Sequence, residues 1–425
     1  MVNEYPKLLV ISNNSLSENN SNGRTLSGFL RGWDKDKIAQ IYISGELPNS
    51  LVCERFFRIT DKAVLKSILK KERVGEIVKN SSEERVLGKT RTVSAKKTIA
   101  SIVARDMLWG TNVWWNRKLK EWIKDFSPDV ILFFAGESVF TYKMGMKIAK
   151  FCDVPIVVYN SEGYYFKKKN YLKSDALSEL IYPFFHKNFK RIFKKLMKKA
   201  VHTVYINDKL KKDYDKELGL ASTTIYTASE LRPVEKLKEN ETPIISYLGN
   251  LGIGRHIALI EIAQALESID PTYKLNVYGK IPNDEVKNAF DNCSGINYCG
   301  LVPYSEVVRI MHESDILVHG EAFDDFTVWD LQYAFTTKIA DSLSCGTAFF
   351  VYAPEELACT QYLLENECAC VVTKKAELKQ KLETLINDDE LRKQYIQKGL
   401  EIANKNHNSR KNCDEFQRIL KEVVR

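Results

Sequence analysis

The chain has 425 residues, 44% of them hydrophobic and 28% charged, with a formal net charge of +8 from 63 basic and 55 acidic side chains. That length is too great for one ordinary core, so two domains are expected, and so mild a basic excess does not argue for nucleic acid. No run of eighteen apolar residues is present to span a bilayer, and nine cysteines without a C-x-x-C pair argue against disulfide scaffolding and structural zinc and for a reducing cytoplasm.

The opening stretch "MVNEYPKLLVISNN" carries an acid early and only a five-residue apolar run. It reads as a first strand, not a signal peptide. "KLLVIS" and "IAQIYIS" are short apolar runs suited to buried parallel strands. "PDVILFFAG" (128–136) and "VPIVVYNSEG" (154–163) repeat the pattern around an amphipathic segment over 142–151, and "VHTVYIND" and "TTIYTA" follow. A polar, proline-bearing stretch, "ELRPVEKLKENETP" (230–243), is the candidate linker. The rhythm then restarts with "IISYLG", "KLNVYGK", "INYCG", "DILVHGE" and "TAFFVYA", alternating with helical segments, and ends in helical sequence over 374–425 broken around "NKNHNS". This is an α/β pattern of two doubly wound, Rossmann-like units, 1–235 and 241–405, with a C-terminal helix in 406–425 packing back on the first. Two such units facing each other across a cleft bind ligands at the C-terminal ends of their strands.

Three segments of the second unit bear chemistry. "FTTKIADSLSCGTAFF" (335–350) predicts a two-turn helix capped by Thr336 or Thr337 and ended by Gly346. Its N-terminus suits an anion, Lys338 adds a full charge there, and Asp341 lies three residues on, where a carboxylate accepts hydrogen bonds from a vicinal diol. An intrahelical Lys–Asp pair in water is the equal alternative. "YLGNLGIGRH" (247–256) sets Gly249, Gly252 and Gly254 between a strand and a helix, with Arg255 as a second anion grip. It is not a Walker loop, and Lys280 ends the next strand where a dinucleotide site wants an acid. "DILVHGEAFDDFTVWD" (315–330) delivers Glu321 at a strand end, with His319 read as a buried strand histidine. Asp324 and Asp325 lack a third ligand, so no metal is expected.

Residues 247–364 together resemble the donor half of retaining GT-B glycosyltransferases of family 4. The order is "YLGNLGIGR", "LNVYGK", "INYCGLVPYSEVVRIMHESDILVHGE" and "TTKIADSLSCGTAFFVYAPEE". The resemblance implies a GT-B fold and a hexosyltransferase that takes a nucleotide-sugar, UDP-linked by base rate, without a metal or other cofactor. It places Asp341 on the donor ribose. Lys338, Arg255 and the amides near Thr336 and Thr337 fall on the diphosphate, Glu321 near the transferred sugar, and Lys280, Val302 and Pro303 beside the base. Glu321, Lys338 and Arg255 become the candidate catalytic residues. The chain departs from the family in spacing Glu321 and Asp341 by twenty residues where eight is usual, in Asn250 where an arginine is common, and in Thr347-Ala348 where a proline region is usual.

The resemblance gives the first unit the acceptor. Gly23 and Arg24 in "NSNGRTLSG", Glu137 in "AGES" and Glu162 in "NSEGYY" follow successive strands, and each loop also reads as an ordinary turn. In "FFHKNFKRIFKKLMKKA" (184–200), Phe185, Phe189, Ile192, Phe193 and Leu196 fall within about 100° of a helical wheel. Lys187, Lys190, Arg191, Lys194, Lys195, Lys198 and Lys199 cover the rest. One reading is a helix lying on an anionic membrane through Phe185, Phe189, Lys190, Arg191 and Lys194; the other is a helix packed on its own domain with a solvated basic face. The membrane reading implies a peripheral protein on the inner face of the plasma membrane and a polyprenyl-diphosphate-linked saccharide as acceptor, as in capsule, O-antigen and exopolysaccharide synthesis. No nucleic-acid module is recognisable. A UDP-N-acetylglucosamine 2-epimerase on the same fold and a non-catalytic subunit docking on a membrane or partner are the alternatives.

Overall fold

The computed structural model describes residues 5–18, 21–80, 98–172, 176–234, 240 and 242–424. Met1–Glu4 of the opening stretch, Asn20 of the first loop, Lys173 and linker residues 235–239 and 241 lie outside them. The chain divides into one unit of Met1–Ile225 with Arg410–Arg425 and another of Tyr226–Ser409.

The first unit holds eight strands, β1 (Leu8–Ser12), β2 (Ile38–Tyr42), β3 (Arg55–Arg58), β4 (Glu76–Val78), β5 (Val130–Phe134), β6 (Ile156–Asn160), β7 (Ala200–Tyr205) and β8 (Ser222–Thr224), in the order β4-β3-β2-β1-β5-β6-β7-β8. All pair in parallel except the edge strand β4, which is antiparallel to β3. β1, β2, β5 and β6 are buried almost throughout, because helices cover both faces of a parallel sheet. The chain leaves β1 toward β2 and β3 and returns on its other side at β5. The C-terminal ends of β1 and β5 therefore form a topological switch point, where open α/β sheets bind their ligands.

The second unit repeats this arrangement with β9 (Ile245–Leu248), β10 (Leu275–Tyr278), β11 (Ile296–Gly300), β12 (Ile316–Gly320), β13 (Ala348–Tyr352) and β14 (Cys370–Val372), all parallel, in the order β11-β10-β9-β12-β13-β14. Its switch point lies between β9 and β12. A core of Ile245, Tyr247, Leu259, Ile262, Val277 and Phe350 holds the helix Arg255–Ile269 against the sheet. The predicted strands all form. β3, β4 and β14 were not expected, since runs such as "RFFR" and "CVV" are short and show no clear period.

The basic segment forms the helix Ala176–Met197 and corrects the membrane reading of its aromatic residues. Phe185, Phe189, Ile192, Phe193 and Leu196 are all at most 7% exposed, turned onto the first unit's own core. Phe189 and Phe193 each lie 5.6 Å from the ring of Tyr142, in the helix Val139–Cys152. Burying five such side chains is worth roughly 7–15 kcal/mol in gross terms, far more than a peripheral helix recovers by rolling over. Lys190 and Lys194 are also occupied: Lys190 lies over the Tyr165 ring at 4.2 Å, and Lys194 pairs with Glu217 at 2.7 Å. Of the five proposed membrane contacts, Arg191 projects outward and the Lys194 side chain is part exposed in its surface pair.

Candidate functional site

At the switch point of the second unit, Thr336 caps the helix Thr337–Ser344. Its hydroxyl accepts from the amide of Lys338 at 3.4 Å. The helix ends before Gly346, whose φ of +81° is the left-handed turn that glycine tolerates. Thr337 is exposed at the first turn.

The helix throws Lys338 back over the end of β9. The ammonium sits 5.1 Å from the centre of the Tyr247 ring, a cation–π contact. It also lies directly over Gly249, where an added Cβ would come within 1.5 Å of Nζ. A side chain at position 249 would have to displace the lysine's end from where it lies. The next strand end is equally tight, since a Cβ on Gly279 would stand 2.1 Å from the Gly249 carbonyl oxygen. Burial, reinforced by the charge of Arg255 and partly offset by Glu321, lowers the Lys338 pKa to about 8. The cation is thus held poorly solvated beside a helix N-terminus, a place that gains from an anion.

Gly254, at φ +73°, starts the helix Arg255–Ile269, and Ile253 beside it carries a left-handed φ of +60°. A β-branched residue is strained there. Arg255 turns to Glu321, donating from Nε and one terminal nitrogen to Oε1 at 2.9 and 2.8 Å. Glu321 is 4% exposed, and its Oε2 has no hydrogen-bond partner. Burial pushes its carboxyl up, but His319 and Arg255 together outweigh that and hold it below the usual range. His319, buried on β12, sets its Nε2 3.3 Å from Glu321 Oε1. The twenty-residue gap between Glu321 and Asp341 is filled by the helix Asp325–Leu331, which Asp324 caps through the amide of Thr327. Among the described residues no group of three His, Cys, Asp or Glu side chains is placed to hold a metal ion.

Asp341, half-buried on the same helix as Lys338, accepts from the hydroxyl of Ser229 at 2.6 Å. Sequence reasoning missed Ser229, since no pattern links positions so far apart. Lys338, Gly249, Arg255 and Glu321 therefore cluster around the ends of β9 and β12, and Asp341 lies three residues farther along the helix, beside Ser229. Lys280 and Val302 follow β10 and β11, on the same edge of the sheet but farther from the switch point.

The first unit has a cavity of about 290 Å³ at its own switch point, lined by Ser12–Ser15 after β1, Phe134–Ser138 after β5 and Ser161, Glu162 and Tyr164 after β6. Gly23, Glu137 and Glu162 line it, whereas Arg24 is exposed and does not. A Cβ on Gly23 would come within 2.3 Å of the Ser17 carbonyl oxygen, so the helix Ser21–Phe29 starts hard against the loop after β1. Glu137 accepts from the Tyr171 hydroxyl at 2.8 Å. The lining also includes Arg105, from the helix Ile99–Gly110, oriented by Asp61 at 2.8 Å and lying 5.0 Å from the centre of the Phe140 ring. Nothing in the sequence around Arg105 marked it.

A glycosyl transferase-like family model matches residues 255–418, which contain Arg255, Glu321, Lys338 and Asp341. No curated protein matches the chain. Among solved structures, sucrose-phosphate synthase from Thermosynechococcus elongatus superposes with a TM-score of 0.62 at 11% identity, over 98% of each chain. Anabaena HepE in complex with UDP and glucose gives 0.62 at 11%, over 98% of this chain and 100% of that one. A glycosyltransferase from Rickettsia africae gives 0.60 at 13%, over 100% and 99%. The chain has the fold of GT-B glycosyltransferase structures, with two Rossmann-like parallel sheets.

Proposed function

We infer that this chain transfers a sugar from a nucleoside-diphosphate donor, UDP-linked, to a saccharide acceptor, with retention of anomeric configuration and without a metal. The observation that carries the reading is the Lys338 ammonium, packed over Gly249 at the N-terminus of Thr337–Ser344 on a sheet switch point. The complexes of HepE with UDP and with UDP-glucose support UDP as the nucleotide.

As the bond between the sugar's anomeric carbon and the diphosphate breaks, negative charge grows on the leaving phosphate. A fixed cation and free helix amides stabilise that charge more than they stabilise the ground state. Lys338 and the amide of Thr337 at the helix start take this role, and Asp341 takes the ribose diol. Arg255, held by Glu321, adds positive charge near Lys338. In front-face attack the acceptor oxygen bonds to the anomeric carbon on the side the diphosphate leaves, and its proton passes to the departing phosphate oxygen. No protein base is then required.

The cavity at the end of β1 and β5, with Arg105, Glu137 and Glu162, receives the acceptor. We assign that acceptor to a lipid-linked saccharide in surface polysaccharide assembly. Turnover tests the reading: UDP released from a UDP-sugar only when a saccharide acceptor is present supports transfer. Release that ignores the acceptor, or C2 epimerisation of the free donor, overturns it.

A further inference from the structure

The helix Ala176–Met197 keeps one stripe entirely outside the protein core. At about 100° per residue, Leu177, Leu180, Phe184, Lys187, Arg191, Lys195 and Lys198 fall within about 80° of one another; Lys198 follows the last helical residue. They lie opposite the buried Phe185–Leu196 face. The stripe changes character along its length. Leu177, Leu180 and Phe184 are 56%, 70% and 74% exposed, while the four positions that follow are all exposed cations. The apolar part runs about 10 Å and the basic part about 16 Å. Met107, from the helix Ile99–Gly110 that packs on this one, is a further 71% exposed. Single exposed apolar side chains are ordinary, but a row of three continuing into a row of cations is not.

Tyr171, which donates to Glu137 on the cavity wall, has its ring 6.2 Å from that of Tyr182, and the Tyr182 hydroxyl donates to the Lys167 carbonyl. Through Tyr171, the buried face of the helix, on which Tyr182 lies, is joined to the cavity wall.

We propose that this outward stripe docks the protein on an anionic lipid bilayer, with Leu177, Leu180 and Phe184 entering the acyl boundary and Lys187, Arg191, Lys195 and Lys198 lying on the headgroups. Charge complementarity selects this occupant. The stripe holds no acid, so a second copy of the same stripe would bring cations against cations or against leucines. A nucleic acid would engage the cations and leave the apolar half unused. A bilayer satisfies both halves in one plane. The surface deepens the lipid-linked acceptor reading by holding the unit that carries the acceptor cavity at a bilayer, and it does not depend on the donor site.

The test is co-sedimentation of the full-length chain with vesicles of phosphatidylcholine alone or with one third phosphatidylglycerol. The wild type is expected to partition onto the anionic vesicles and to be released by salt. Lys187→Ala with Arg191→Ala is expected to weaken partition about 25-fold, from about fivefold per cation. Leu180→Asp with Phe184→Asp should abolish partition even at low salt. All four side chains are exposed, so thermal melts and UDP binding of the variants should match wild type. That separates failure of the docking surface from failure of the sugar-transfer reading. Equal binding of wild type and the Asp variant, or no binding to anionic vesicles, overturns the proposal. So does a homodimer in sedimentation velocity that the Asp variant dissolves, or tighter binding to RNA than to vesicles.

Discussion

Replacing Lys338 with Met should stabilise the protein while destroying its donor site. The lysine's pKa falls from 10.5 to about 8, mainly because the ammonium is buried. At 1.36 kcal/mol per unit, the charged form costs about 3 kcal/mol at neutral pH. Methionine keeps most of the aliphatic stem and its packing, and loses a cation–π contact with Tyr247 worth about 1 kcal/mol. A net gain of about 2 kcal/mol remains, or roughly 4–8 °C in melting temperature for a domain of this size. The sign follows from proton binding. Between pH 8 and 10.5 the unfolded chain holds a proton on this lysine that the folded chain has released, so wild-type stability rises with pH there. The advantage of Lys338→Met should therefore be full below pH 8 and shrink as the pH approaches 10.5. Scanning calorimetry of both proteins from pH 7 to 10, with and without UDP, reads both effects. The wild type should gain stability from UDP and the variant should not. A destabilised variant whose deficit ignores pH, or a variant that UDP stabilises as strongly as wild type, would refute the reasoning.

Asp341→Ala should weaken UDP binding about tenfold, the loss of two hydrogen bonds to a ribose diol, whereas Ser229→Ala, which removes the partner at 2.6 Å and an acceptor for the Leu231 amide, should leave UDP affinity within about twofold; equal losses in titration calorimetry would mean that Asp341 serves only Ser229. Glu321→Ala strands the Arg255 guanidinium and should cost about 3–5 kcal/mol in urea unfolding. Adding Arg255→Met should recover most of that, and a single-variant loss under about 1 kcal/mol would contradict the buried pair. His407 is buried, donates from Nδ1 to the Thr227 carbonyl and accepts at Nε2 from the Tyr362 hydroxyl, and burial lowers its pKa to about 4. The unfolded chain takes up that proton first on acidification, so stability should fall by roughly 3 kcal/mol between pH 6.5 and 4. His407→Phe should flatten this part of the profile, whatever it does to stability at pH 7.

Much of this was legible in the sequence because parallel sheets write themselves as short apolar runs. "VILFF", "IVVYN", "ILVHG" and "AFFVY" became β5, β6, β12 and β13. The two-turn helix with its threonine cap was equally plain, since Thr336, Gly346 and the strand beyond leave room for little else. Side-chain pairings were not legible. That Arg255 reaches Glu321 and Ser229 reaches Asp341 depends on which strand lies beside which, and a linear pattern carries no such information. The basic helix shows the same limit differently. Its period announced one apolar face, and that face proved to be the core. The exposed apolar row at Leu177, Leu180 and Phe184 sits on the other side, where only the packing reveals it.

The central claim is that a nucleoside diphosphate sits on Lys338 over Gly249. Calorimetric titration of UDP into the wild type and into Gly249→Ala tests it most directly, because the added methyl would stand 1.5 Å from the ammonium. We expect saturable binding of one UDP by the wild type, with uridine at least about a hundredfold weaker for want of the charge-assisted contacts, and no measurable UDP binding by the variant. Equal isotherms for the two proteins, or none for the wild type, would contradict it.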